Sequence, residues 1–386
     1  MGKVKNLIKG ELLSHFGRIC PDPYVWVFSS TDNRHYNYNS RYLFEYVREH
    51  VPEVTPLFVI NDQELRQKLG DLYGRQYFIE TETAEGILRA LSAGVWFTSA
   101  GLPVYGTGLL KGRRIINLWH GVPLKKIALL DPNLGKAAKI YFRKIFSENY
   151  TCILTTSQSL VPLMAESFAV EEKKIKVWGQ PRNDGMFQKK DRERILHKIY
   201  GKLPEYHRIV LYAPTFRDYG EVKLFPFRDF DREQLEDFLE KEKMILFLRT
   251  HIAEKAAAGP YLGERVRFMG EEQAEDVTGM LDIFDCLITD YSSIYIDYLL
   301  TGNPVIFLPY DREEYLAGRG MNFDYDEVTP GPKPQTMDNF LRCLSAEQDS
   351  WEEERKRVNG LFNEIRKPCS ESICRKILKS LKENKR

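Results

Sequence analysis

Twelve short runs of β-branched and aromatic residues, each followed by a polar–apolar helical stretch, constrain this chain more than any other feature. Seven come first, over 24–30, 55–60, 76–80, 94–100, 114–120, 152–157 and 174–179. Five follow, over 208–214, 244–251, 265–270, 286–292 and 304–309. Near-continuous apolar runs alternating with helices predict parallel strands covered on both faces, because parallel neighbours need a crossover. Such crossovers are right-handed and leave the functional loops at the carboxyl ends of the strands. The two sets are separated near 181–207, which is polar and poor in strand formers. The expected architecture is α/β, with two Rossmann-like domains facing across a cleft. The first would span 1–185 and the second 186–350. Helices over 351–386 could pack back on the first domain.

Length agrees with two domains, since 386 residues exceed one typical core. Six cysteines are scattered without a CxxC pair and read as reduced thiols. The first twenty residues lack the apolar core of a signal peptide, and nowhere do about 18 apolar residues run together. The expected location is the cytosol or the cytoplasmic face of the membrane. Net charge is only +1, yet residues 1–180 hold 23 Lys/Arg against 17 Asp/Glu. Within 111–144 nine basic residues and a single acid, Asp131, alternate with Ile127, Leu129, Leu130, Leu134, Ile140, Tyr141 and Phe142. A basic amphipathic stretch of this kind suits an anionic leaflet, where each cation contributes about 1 kcal/mol. The N-terminal segment, with Leu7, Ile8, Leu12, Leu13 and Phe16 beside Lys3, Lys5 and Lys9, is a second such face. No nucleic-acid partner is expected.

Three segments carry candidate anion ligands. In LITDYSSIYIDYLLTGNPVIFLP (287–309) a strand should end at Thr289-Asp290, and Ser292 or Ser293 should cap a helix that Gly302-Asn303-Pro304 stops. A helix start at a strand's carboxyl end presents free N–H groups and about half a positive charge, which fits phosphate. The serines could instead only cap, and Asp297 is either solvated or reaches a ribose hydroxyl. In LYAPTFRDYG (211–220), Pro214, Thr215 and Arg217 follow a strand. Arg217 could hold a phosphate through two bonds, with Thr215 donating another, or could be a loop arginine with an acidic partner. In GQPRNDGMF (179–187), Arg182 could bind an anion, whereas Asn183-Asp184 could simply cap a helix.

Two of seven histidines, His120 in RIINLWH and His251 in MILFLRTH, end a strand-like run, one in each half. An unperturbed imidazole titrates near 6.5 and accepts a proton at neutral pH. Lys125 and Lys126, if near, would disfavour the protonated form of His120.

In combination, HGVPLKK (120–126), GQPRNDGMF, LYAPTFRD, LRTH, LITDYSSIYIDYL and RGMNFDYDEVTPGP (319–332) resemble the CDP-glycerol glycerophosphotransferases. These enzymes build the poly(glycerol phosphate) chains of wall teichoic acids in Gram-positive bacteria. The likeness runs from about 113 to 332, and HGVP stands where HGTP is commoner. It implies a GT-B fold, CDP-glycerol as donor, and peripheral attachment to the inner leaflet, with 1–185 taking the acceptor and facing the membrane and 186–350 binding CDP-glycerol. It also implies that His120 and His251 are needed for activity. Gly121, Lys125, Arg182, Asn183, Pro214, Thr215, Arg217, Thr250, Thr289, Asp290, Ser292, Ser293, Asp297 and Arg319 fall in the motifs as substrate-binding positions. The Ser/Thr group of TDYSS is expected to hold the donor pyrophosphate. Without the long N-terminal region of the polymerases, the chain looks more like the primase. That enzyme adds one glycerol phosphate to an undecaprenyl-diphosphate-linked N-acetylmannosamine–N-acetylglucosamine disaccharide. No cofactor is expected, and a metal only if Asp290 supplies it. The alternatives are a ribitol-phosphate or chain-extending transferase, a GT-B sugar transferase, and a non-enzymatic membrane adaptor.

Overall fold

The computed structural model describes residues 8, 10–13, 19–217, 222–250, 258–346 and 348–383. All twelve expected strands form: β1 (Asp22–Ser29), β2 (Thr55–Val59), β3 (Phe78–Ile79), β4 (Ala93–Thr98), β5 (Arg114–Asn117), β6 (Cys152–Thr155), β7 (Ile175–Val177), β8 (Arg208–Tyr212), β9 (Met244–Leu248), β10 (Val266–Phe268), β11 (Cys286–Thr289) and β12 (Val305–Phe307). They make a seven-stranded sheet in the order β3-β2-β1-β4-β5-β6-β7 and a five-stranded sheet in the order β10-β9-β8-β11-β12. Each pairing is parallel.

The sequence explains why these runs pair this way. β4 and β9 are buried at every position, as strands covered on both faces must be. Intervening helices start where Asp62, Thr83, Asp191, Asp231 and Thr336 offer side-chain oxygens to free backbone N–H groups.

The chain divides into two compact units. The first comprises Met1–Val122, Ile127–Asp184 and Glu364–Arg386, and the second Pro123–Lys126 and Gly185–Asn363. An aromatic core fills the first unit, with Trp26, Phe28, Phe44, Phe58 and Phe97 all fully buried. Phe28 stacks on Phe97 at 5.0 Å and meets Phe44 edge-on at 5.6 Å. Cys369, just ahead of the last helix (Ser370–Glu383), and Ile373, Cys374 and Ile377 within it belong to the same core. Asp184 accepts from the Cys369 and Ser370 amides at 2.7 and 2.9 Å, so it caps that distant helix rather than the one that follows it in sequence. In the second unit Val210, Leu246, Leu248, Ile288 and Ile306 pack against Leu235, Leu239, Phe340 and Leu344.

Both sheets reverse their strand order once, between β1 and β4 and between β8 and β11. Doubly wound sheets bind ligands outside the carboxyl ends of the strands at such a reversal. Ser99 follows β4 there, and Thr215 and Asp290 follow β8 and β11.

Truncating Ile373, which is fully buried against the helix Tyr38–His50, should cost about 2–5 kcal/mol. Urea unfolding of Ile373→Ala checks this. An unchanged midpoint would mean that the last helix adds nothing to the core.

Candidate active site

His120 stands past β5, not within it. The sequence run predicted a strand to 120, but β5 ends at Asn117. Leu118 still donates to the Thr98 carbonyl at 2.7 Å, and then the chain turns. Trp119 has a φ of +55°, which a bulky residue adopts only when its surroundings impose it. The imposing groups are local. Asn117 Oδ1 accepts from the Trp119 amide at 2.8 Å, while Asn39 Nδ2 donates to the carbonyls of Leu118 and Trp119 at 3.2 and 2.9 Å. Gly121 follows with a φ of +143°, which explains a glycine at that point of HGVPLKK.

The ring of His120 lies between Tyr38, stacked at 4.9 Å, and Trp119, at 4.0 Å. Its Nδ1 is 2.8 Å from the carbonyl of Ser99. A carbonyl only accepts, so Nδ1 carries the proton and Nε2 keeps its lone pair in the neutral ring. Burial pushes the imidazole down to about 4, against the Ser99 hydrogen bond, and the Arg182 guanidinium adds to the depression. The direction matches the expectation, but the cause differs, since the sequence had pointed to Lys125 and Lys126. Arg182 donates Nη1 to the His120 carbonyl at 2.7 Å and its amide to Asn39 Oδ1 at 3.1 Å. Arg182, a candidate anion ligand in the sequence, braces the histidine loop; Asn183 is buried beside it.

HGVPLKK divides after Val122, because Pro123–Lys126 belong to the second unit. Asn322, in the motif RGMNFDYDEVTPGP, holds that segment. Its Nδ2 donates to the carbonyls of Pro123 and Lys125 at 2.9 and 2.8 Å, and its amide donates to Leu124 at 2.8 Å. Lys126 donates its amide to Gly320 at 3.2 Å. Lys125 is thereby set with its Nζ 5.1 Å from the centre of the Tyr315 ring.

That ring belongs to a buried cluster around Asp290. Asp290 Oδ1 accepts from the Thr215 amide (2.8 Å), the Thr215 hydroxyl (2.6 Å) and the Tyr291 amide (2.6 Å). Its Oδ2 accepts from Arg217 Nη2 at 2.8 Å. Both oxygens are engaged by protein donors, which leaves Asp290 poorly suited to the metal role the sequence had left open. Arg217 is 3% exposed and also donates Nε and Nη2 to Asp311 at 2.7 and 3.0 Å. Burial opposes the guanidinium charge, and Asp311 and Asp290 more than offset it, so its pKa is raised. Tyr291, Tyr310 and Tyr315 surround the guanidinium with ring centres 5.1–5.2 Å away. Of the two readings open for Arg217, the structure shows the arginine with acidic partners; Thr215 likewise bonds a carboxylate, and both shape the loop after β8.

The remaining positions separate. Thr289 donates its hydroxyl to Ala213 at 2.7 Å, tying β11 to β8 just ahead of Pro214. Ser292 and Ser293 are part-exposed at the start of the short helix Ile294–Tyr298, and neither gives it a strong cap; Ser292 Oγ is 3.4 Å from the Ile294 amide. Asp297 is 1% exposed, so the solvated reading fails. The Thr250 hydroxyl is buried and has no hydrogen-bond partner among the described residues. His251 lies outside the described residues, as does the side chain of Arg319. Sequence reasoning missed Tyr38, Asn39, Ser99, Asp311 and Asn322. Asp311 was findable, since it follows β12 at the same sheet edge.

The sequence profile of the CDP-glycerol:poly(glycerophosphate) glycerophosphotransferases matches residues 13–379. The chain belongs to that family. The Staphylococcus aureus teichoic acid glycerol-phosphate transferase is 27% identical over 364 residues, covering 88% of this chain and 89% of that one. The Bacillus subtilis teichoic acid poly(glycerol phosphate) polymerase is 28% identical over 330 residues, covering 82% of this chain. The chain spans only 43–45% of the length of that polymerase and of two ribitol-phosphate polymerases that it matches. The solved wall teichoic acid polymerase TagF superposes with a TM-score of 0.77 at 22% identity, covering 99% of this chain and 95% of that one. This likeness gives the fold, a GT-B-type pair of doubly wound units.

Two measurements follow for this family member. A free histidine titrates near 6.5 and His120 near 4 when folded, so the folded state binds fewer protons between those values. The stability contributed by the neutral ring is complete above pH 6.5 and is lost as pH falls toward 4. Ring-carbon NMR should show His120 still neutral at pH 5.5, and titration near 6.5 would contradict its burial. Asp311→Asn should destabilise the second unit by about 3–5 kcal/mol, measured by denaturant melts, because Arg217 stays buried with one carboxylate.

Proposed function

We propose that this protein transfers glycerol phosphate from CDP-glycerol to an undecaprenyl-diphosphate-linked N-acetylmannosamine–N-acetylglucosamine disaccharide, the priming step of a wall teichoic acid. The observation that carries this reading is His120, a neutral imidazole whose Nε2 lone pair is fixed by the Ser99 carbonyl. An acceptor hydroxyl attacks the phosphorus that bears glycerol and gives its proton to Nε2. A new P–O bond forms, the bond to the bridging pyrophosphate oxygen breaks, and CMP leaves with that electron pair. General base catalysis of this kind contributes about 10²–10⁴-fold.

Positioning and electrostatics supply most of the remainder in phosphoryl transfer. On this reading Lys125, Thr250 and the hydroxyls of Ser292 and Ser293 face the donor phosphates, and His251 is assigned to them by its motif alone. Arg217 and Thr215 act through Asp290, holding the loop that carries them. The structurally similar polymerase TagF has a structure of a variant soaked with CDPG, which supports the donor. A relative named as a teichoic acid glycerol-phosphate transferase, of which 89% is covered, supports transfer of glycerol phosphate. Ribitol-phosphate relatives, among them a primase of Bacillus spizizenii, keep CDP-ribitol as the second reading.

The acceptor is lipid-borne, and the first unit has a face suited to a membrane. The helix Lys136–Ile145 exposes Ile140 (64%) and Tyr141 (39%) beside exposed Lys136, Arg143 and Lys144. Ile8 and Leu12 are likewise exposed. We assign this face to the anionic cytoplasmic leaflet, with the protein peripheral; among the described residues no helix is long and apolar enough to cross a membrane.

Incubation with CDP-glycerol and a short-chain lipid-linked disaccharide should release CMP and add one glycerol phosphate, read by mass spectrometry. A ladder of products would replace priming by chain extension, and transfer only from CDP-ribitol would change the donor. His120→Ala should lose at least 10²-fold in turnover while CDP-glycerol still binds; normal turnover would remove His120 from the chemistry. Sedimentation with phosphatidylglycerol vesicles should weaken as salt rises and on replacing Arg143 and Lys144 by Glu. Salt-independent binding would locate the contact elsewhere.

A further inference from the structure

The second unit carries a cavity of about 310 Å³ at the amino-terminal edge of its sheet, the edge opposite Asp290. Arg208 enters β8 and Pro304 precedes β12 at this edge. The floor is apolar, formed by Val305, Ile306 and Pro332. One wall is the helix Met337–Ser345, which turns Asn339, Arg342 and Cys343 toward the cavity at three- and four-residue spacing. Trp351, half-buried, begins the next helix and completes the lining.

The charges of this lining do not cancel. Asp349 is its one described carboxylate, and Arg355 holds both of its oxygens, through Nη1 at 2.8 Å and through Nη2. Arg208 donates Nη1 to the Leu344 carbonyl at 2.9 Å, and Arg342 is exposed. Among the described residues neither Arg208 nor Arg342 has a carboxylate partner. Two uncompensated guanidiniums over an apolar floor select a molecule with an apolar body and an anionic head. The floor takes the body out of water, and the guanidiniums form charge-assisted bonds to the head. The volume is that of a small-molecule site.

We propose that this cavity binds a small amphipathic anion, an acyl or aromatic body bearing a carboxylate or phosphate. The site is distinct from the donor edge and does not depend on the glycerophosphotransferase reading.

Decanoate is a suitable probe, titrated calorimetrically into the full chain, with 1-decanol as its uncharged counterpart. One saturable decanoate site is expected, with decanol at least tenfold weaker. Arg342→Glu should weaken decanoate at least tenfold without changing the melting temperature, since Arg342 is exposed. Arg208→Gln should weaken it similarly. Bound decanoate should also slow alkylation of Cys343 several-fold while leaving the exposed Cys20 unaffected. Unchanged affinity in Arg342→Glu, equal affinity for decanol, or an unprotected Cys343 would each overturn the assignment; the first would place decanoate on another face.

Discussion

The central strands of a parallel sheet covered on both faces have no place along their length for a charged side chain. Polar chemistry is therefore forced to the strand ends, and in a doubly wound sheet to the ends where the order reverses. Both units obey this. β1, β4, β8, β9 and β11 are almost wholly apolar within, and Ser99, Thr215, Asp290 and Asp311 appear as soon as the strands stop. His120 is drawn to the same kind of place, because its ring reaches from the loop after β5 to the carbonyl after β4.

What happens at that edge differs between the units. In the first, main-chain carbonyls, the amide side chains of Asn39 and Asn117 and the Arg182 guanidinium hold the loop of a neutral ring. In the second, full charges are buried together. A buried triad such as Arg217 with Asp290 and Asp311 gains little net stability, since desolvation opposes the attraction, yet losing one partner is costly. Its value lies in geometry: four donors on one carboxylate leave the loop after β8 a single arrangement, and three tyrosine rings confine the guanidinium.

Much of this was legible in the sequence. Periodicity located every strand, because runs buried on both faces have no alternation to confuse them with exposed ones. Strand ends were read too long at His120 and toward His251, since hydrophobicity continues through Leu118 and Trp119 after the ladder has ended. Residue type alone could not tell whether Arg217 meets a phosphate or a carboxylate, as both offer the same paired oxygens. Nor could it see that Arg182 reaches the His120 carbonyl across 62 residues of chain. Asn39 was invisible for the same reason: an asparagine near a helix start reads as a cap, and its real partners lie far along the sequence.

The partner of the His120 ring is a main-chain carbonyl. Side-chain partners of catalytic histidines can be lost by a single base change, and their proton positions then drift. Here no substitution at 99 deletes the acceptor, because every residue brings one. The proton's place is thus inherited with the course of the backbone after β4, and variation among descendants could retune the ring only by moving that backbone.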